Sequence, residues 1–137
     1  MKKLVFIIED DLTQQKILQV HFEQALGSYT VRCFVDPEEM IAHLDDKPFA
    51  IVLDHFFNHQ TKTGLDYLAF LRKKYSSLPI IYHTSSNDDS IKEKVMKMGA
   101  IQYIHKDSAS FVRLRTALDT IHEKENKKGF FAGLFGK

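Results

Sequence analysis

The chain holds a single cysteine and three prolines among its 137 residues, and neither sign of charge prevails: 19 Lys and Arg face 18 Asp and Glu, leaving +1. Cys33 alone cannot form an internal disulfide, and its place in the apolar stretch 31–35 predicts a small buried hydrophobe rather than a reactive thiol. Without a basic excess the chain lacks the field that nonspecific nucleic-acid binding uses, so no nucleic-acid partner is expected. No stretch approaches the ~20 apolar residues of a membrane span. The apolar run 4–8 is too short for a signal peptide, so the expected compartment is the cytoplasm. Neither a Gly-rich dinucleotide fingerprint nor a P-loop is present, and no Cys-x-x-Cys or His-Glu-x-x-His pattern accompanies the seven histidines. His55, His59 and His83 fall near strand ends without metal-ligand spacing, so solvation or packing is expected of them rather than a transition metal.

What the chain does have is enough apolar material, 44%, for one domain that removes roughly two-thirds of its unfolded surface from water without disulfide or metal staples. Residues 4–8 form a continuous apolar run rich in β-formers, which suits a strand buried on both faces. A helical pattern follows through Leu12, Ile17, Leu18, Phe22, Ala25 and Leu26, stopped by Gly27 and Ser28. Strand 30–35 leads into Asp36 as an N-cap, Pro37 in the first turn, and a stripe of Met40, Ile41 and Leu44. Strand 49–53 ends at Asp54, ahead of a polar loop and a helix carrying Leu65, Leu68, Phe70 and Leu71. Strand 79–83 precedes a helix with Ile91, Val95 and Met98, closed by Gly99. Strand 101–104 precedes Lys106 and a helix with Phe111, Leu114, Leu118 and Ile121. The alternation predicts a doubly wound α/β fold: a five-stranded parallel sheet of order 2-1-3-4-5, flavodoxin-like, in a three-layer sandwich.

In such sheets ligands bind beyond the carboxyl ends of the strands, at the crevice between the first and third. That rule selects Glu9, Asp10 and Asp11, then Asp54, Thr84 and Lys106. Carboxylates ~5 Å apart repel by about 3 kcal/mol per pair at an effective dielectric of ~20, so the crevice calls for a cation. Mg²⁺ suits it, taking oxygen ligands from one or two carboxylates, phosphate and water. A carboxylate beside Mg²⁺ and a lysine can attack phosphorus to form an acyl phosphate. Asp11 also reads as a helix cap. Asp54 directly follows a buried strand, where an unpaired charge would cost several kcal/mol, which favours a functional role.

Four segments in order, Phe6-Ile7-Ile8-Glu9-Asp10-Asp11, Ile51-Val52-Leu53-Asp54, Ile80-Ile81-Tyr82-His83-Thr84-Ser85 and Gly99 through Lys106, carry a resemblance. Over about residues 3–124 the chain resembles the receiver domain of bacterial two-component response regulators. The resemblance implies that Asp54 accepts phosphate, that Glu9, Asp10, Asp54 and the Phe56 backbone carbonyl hold Mg²⁺, and that Thr84, Lys106 and Tyr103 bind the phosphoryl group and switch. It further implies that Phe56 and Ser86 modulate hydrolysis, that a histidine kinase or phosphotransfer protein supplies phosphate, and that helix four, strand five and helix five contact a downstream protein. The chain departs from the family at Asp107, where proline is usual, in the long loop 55–64, and at His83, where an apolar residue is typical.

Residues 1–124 are thus expected to be the receiver and 125–137 a Gly/Phe/Lys tail. In the tail Phe130, Phe131, Leu134 and Phe135 would share one arc if helical, which suits partner or membrane docking by residues 127–137. Fewer than fifteen residues follow the predicted fifth helix, so a stand-alone receiver is expected. Two other readings use the same residues: a receiver-like binding module that does not use phosphate, and an aspartyl-phosphate phosphohydrolase. Against the latter, such enzymes usually carry Asp-x-Asp on one strand, and here His55 and Phe56 follow Asp54.

Overall fold

In an all-apolar run the alternation of side chains is invisible, yet it decides the layers of the molecule. The computed structural model describes residues 2–25, 28–57 and 61–134, apart from the side chains of 24, 25 and 130–134. Strand β1 (Lys3–Ile8) sends Phe6 and Ile8 to one side and Val5 and Ile7 to the other, all essentially without solvent exposure. It pairs in parallel with β2 (Tyr29–Phe34) and β3 (Ala50–Leu53), while β4 (Ile80–Thr84) and β5 (Gln102–His105) extend the sheet to the order β2-β1-β3-β4-β5. The expected fold is the observed one.

Helices α2 (Pro37–Ala42), α3 (Gly64–Lys74) and α4 (Asp89–Lys97) cover the Phe6 side, where Met40, Leu68, Leu71 and Val95 meet Ile51, Leu53 and Tyr82. Helices α1 (Leu12–Ala25) and α5 (Ser110–Leu134) cover the other side, where Leu18, Phe22, Leu114 and Leu118 meet Val52, Ile81 and Ile104. Each such side chain contributes about 1.5–3 kcal/mol on burial. Asp36 caps α2 through Glu38 N–H, with Pro37 in the first turn as expected. Gly99 closes α4 with φ of 100°, the left-handed region.

Three expectations change. Leu12, Ile17 and Phe70 are exposed rather than part of buried stripes, because the sheet covers only a narrow face of each helix. Ile17 and Leu12 lie about 100° and 120° round α1 from Leu18. Cys33 is half-buried, its thiol pushed up to about 11, chiefly by burial, and its Sγ lies 3.9 Å from the Gln15 carbonyl. Helix α5 continues through the composition change at 124–125, since backbone hydrogen bonding tolerates Gly129 for about 1 kcal/mol. The arc of Phe130, Phe131, Leu134 and Phe135 lies outside the described residues, as do the stop at Gly27 and the loop residues 58–60 with His59.

Candidate functional site

Across the sheet Ile8 pairs with Leu53, Leu53 with Tyr82, and Tyr82 with Tyr103, so these four residues stand at one level. The chain therefore leaves β1 at Glu9 and β3 at Asp54 side by side. Lys106 follows β5, and its backbone N–H donates to the Thr84 carbonyl at 2.8 Å, which ties the lysine to the end of β4. Its Nζ reaches back over the sheet to Glu9 Oε1 at 2.5 Å and Asp54 Oδ2 at 2.6 Å. The remaining oxygens are also held: Asp54 Oδ1 accepts the His55 N–H at 2.6 Å, and Glu9 Oε2 accepts the Asp11 N–H at 3.2 Å.

Both carboxylates are buried, and one ammonium between two carboxylates leaves a net negative site. Burial pushes the Glu9 carboxyl above its ordinary range, although Lys106 pulls the other way. For Lys106, burial works against the charge, but Asp54 and Glu9 outweigh it and raise the ammonium above its usual value.

These groups line a cleft of about 550 Å³ together with Asp10, Phe56 and Ser85. Asp10 is half-buried there. Asp11 caps α1, its Oδ1 accepting the N–H groups of Thr13 at 2.9 Å and Gln14 at 3.1 Å. Phe56 is 59% exposed at the rim, edge-on to the His55 ring with centroids 4.5 Å apart. Thr84 is fully buried and does not line the cleft; its Oγ1 accepts the Ser86 N–H at 3.3 Å. Tyr103 also stands back from the cleft, donating its hydroxyl to the Ser86 carbonyl at 2.7 Å and stacking on Tyr82 with centroids 6.0 Å apart. Thus Glu9, Asp54 and Lys106 meet directly, Asp10 and Phe56 line the same cleft, and Thr84, Ser86 and Tyr103 form an adjoining group.

Sequence reasoning missed the supporting residues. His55 Nδ1 pairs with the Tyr82 hydroxyl at 2.7 Å, both buried, and burial holds the imidazole below its ordinary pKa. Gly64 is fixed by close approach: an added Cβ would overlap the Asp54 carbonyl and the Tyr82 hydroxyl. His83 pairs with Ser110 Oγ at 2.9 Å. A polar ring inside an apolar strand was the available signal, because buried polar groups require partners.

The family model for the response regulator receiver domain matches residues 5–119. The chain belongs to this family. Nodulation protein W of Bradyrhizobium diazoefficiens is 30% identical over 106 residues, which are 77% of this chain and 45% of that protein. The chain thus spans less than half the length of that relative. The fold matches the signal receiver domain of a putative LuxO repressor protein from Vibrio parahaemolyticus, with a TM-score of 0.79, 18% identity, and 96% and 98% of the two chains covered. It likewise matches the receiver domain of Francisella response regulator 1452, with a TM-score of 0.79, 20% identity, and 90% and 99% covered. Receiver domains are signalling modules rather than classical enzymes; they accept a phosphoryl group and interact with histidine kinases or phosphotransfer proteins.

Receivers generally use Mg²⁺ at the phosphorylation site. The donor set here fits that ion: hard carboxylate oxygens on a cleft open to water, two of them already drawn together around an ammonium. Among the described residues no three His, Cys, Asp or Glu side chains form a ready metal cage. Among the described residues, no helix is long and apolar enough to cross a membrane.

Proposed function

We propose that this receiver accepts phosphate on Asp54 and signals by protein contact. The observation that carries the reading is the Lys106 ammonium held between Asp54 Oδ2 and Glu9 Oε1 at the mouth of the strands. An Asp54 carboxylate oxygen attacks the phosphorus of a phosphohistidine on a kinase or phosphotransfer protein. The O–P bond forms as the N–P bond breaks, and the electron pair returns to the imidazole nitrogen, which takes up a proton. Lys106 exchanges Oδ2 for a phosphoryl oxygen and so offsets charge on the transferring group. Glu9, Asp10, Asp54 and the Phe56 carbonyl are the residues that would hold Mg²⁺, which supplies further charge neutralisation when bound.

The bound phosphoryl group carries about −1.5 to −2 charges at pH 7. The Thr84 hydroxyl, one residue from Ser85 on the cleft wall, turns to donate to it and releases the Ser86 N–H. Tyr103, bonded to the Ser86 carbonyl, then changes position, and the change reaches the surface of α4, β5 and α5. Phe56 at the rim and Ser86 behind it set the access of water to the acyl phosphate.

Beryllofluoride, a phosphoryl mimic, with Mg²⁺ tests this: it raises the melting temperature of the wild-type protein and leaves Asp54→Asn unmoved. No rise in the wild type would favour a receiver-fold binding module that does not use phosphate.

A further inference from the structure

The lysine that reaches the acceptor sits at the start of a turn in which Asp107 accepts four hydrogen bonds. The Asp107 carboxylate accepts the Ala109 N–H at 2.9 Å and the Arg113 guanidinium at 2.7 Å. The Asp107 carbonyl, the next peptide after Lys106, accepts both the Ser110 N–H at 3.2 Å and the Ser110 hydroxyl at 3.1 Å. Ser110 is buried, lines the cleft, and lies 2.9 Å from His83 Nε2.

His83 belongs to β4, immediately before Thr84, whose carbonyl holds the Lys106 N–H. The imidazole is buried, and burial first, then the positive charges of Lys106 and Arg113, hold its pKa down to about 3. A neutral ring with its proton on Nε2 satisfies every group in the chain: Nε2–H donates to Ser110 Oγ, and the Ser110 hydroxyl donates to the Asp107 carbonyl. Strand β4 therefore grips Lys106 from both directions, by the Thr84 carbonyl on its amino side and through His83 and Ser110 on its carboxyl side.

We propose that His83 and Ser110 are positioning residues for phosphoryl transfer, which fix the turn 106–110 and with it the reach of the Lys106 ammonium to Asp54. The inference rests on Asp54 being the phosphoacceptor. Release of the pair leaves Asp54 and the metal-holding oxygens in place and lets the lysine wander, and misplacement of a charge-offsetting group on the ångström scale costs a rate factor of ten to about a hundred.

The test is the rate of Asp54 labelling by acetyl phosphate with Mg²⁺, together with the concentration at half-maximal rate and the melting temperature of each variant. His83→Leu and Ser110→Ala are expected to lower the maximal rate about tenfold with the half-maximal concentration unchanged, and His83→Gln, whose amide N–H can replace Nε2–H, to recover most of it. Ser110→Ala, the smaller change, decides the matter if His83→Leu does not fold. Wild-type rates in folded His83→Leu or Ser110→Ala, or His83→Gln as slow as His83→Leu, would overturn the proposal while leaving Asp54 as acceptor. A wild-type protein that never labels would overturn both.

Discussion

The ammonium of Lys106 lies 2.6 Å from Asp54 Oδ2 and 2.5 Å from Glu9 Oε1, joining chain segments 52 and 97 residues away. The three side chains are mostly or wholly out of water, so removing the cation strands two like charges in a medium that screens them poorly. Lys106→Met is expected to lose about 3 kcal/mol in urea unfolding without divalent cation, and less of it in Mg²⁺. A loss below about 1 kcal/mol would mean that the pair is solvated like a surface bridge.

Glu9 and Lys106 depend on pH in the same sense, in different windows. Both sit above their ordinary values, so each favours the fold in its protonated form. The Lys106 contribution is complete below the ordinary lysine pKa and is lost as pH rises through its raised value. The protonated Glu9 contribution is complete below the ordinary glutamate range and is lost on passing upward through its raised pKa. Glu9→Gln is therefore expected to unfold at higher urea than wild type at pH 7 without divalent cation, with the difference vanishing toward pH 4. A variant weaker than wild type at pH 7 would contradict this sign.

His83 gives the reverse dependence. Its folded pKa of about 3 lies below the ordinary histidine value, so the unfolded chain binds a proton first and stability falls as pH drops from about 6.5 toward 3. Relative to wild type, His83→Leu should gain about 1.4 kcal/mol for each pH unit between pH 6 and pH 4 in chemical unfolding. A constant difference across that range would show that the ring titrates normally.

Gly64 is required by space. Its N–H donates to the His55 carbonyl at 2.7 Å, which brings the start of α3 against the Asp54 carbonyl. Gly64→Ala is expected to cost about 2–3 kcal/mol by overpacking and to slow Asp54 labelling, and a melting temperature equal to wild type would refute the close approach.

Much of this molecule could be read from the sequence, and the limits have physical causes. Apolar runs that stop at polar residues mark the strands wherever both sheet faces are covered, and Glu9, Asp54 and Lys106 could be placed because strand ends fall at one level. Within such a run the face of each residue is not written, so Leu12 and Ile17 could not be told from Leu18 by spacing alone. The end of α5 was hidden because Gly129 lowers helix propensity but not enough to stop a helix already propagating. Partners across the sheet, His83 with Ser110 or His55 with Tyr82, lie 27 residues apart, and only the assembled fold brings them together.

The central claim is that Asp54 is the residue that takes phosphate. Intact-protein mass spectrometry after acetyl phosphate and Mg²⁺, compared between wild type and Asp54→Asn, tests it most directly. The account predicts one added phosphoryl group on the wild type, lost on alkaline hydrolysis as an acyl phosphate would be, and none on the variant. Undiminished labelling of Asp54→Asn would contradict it.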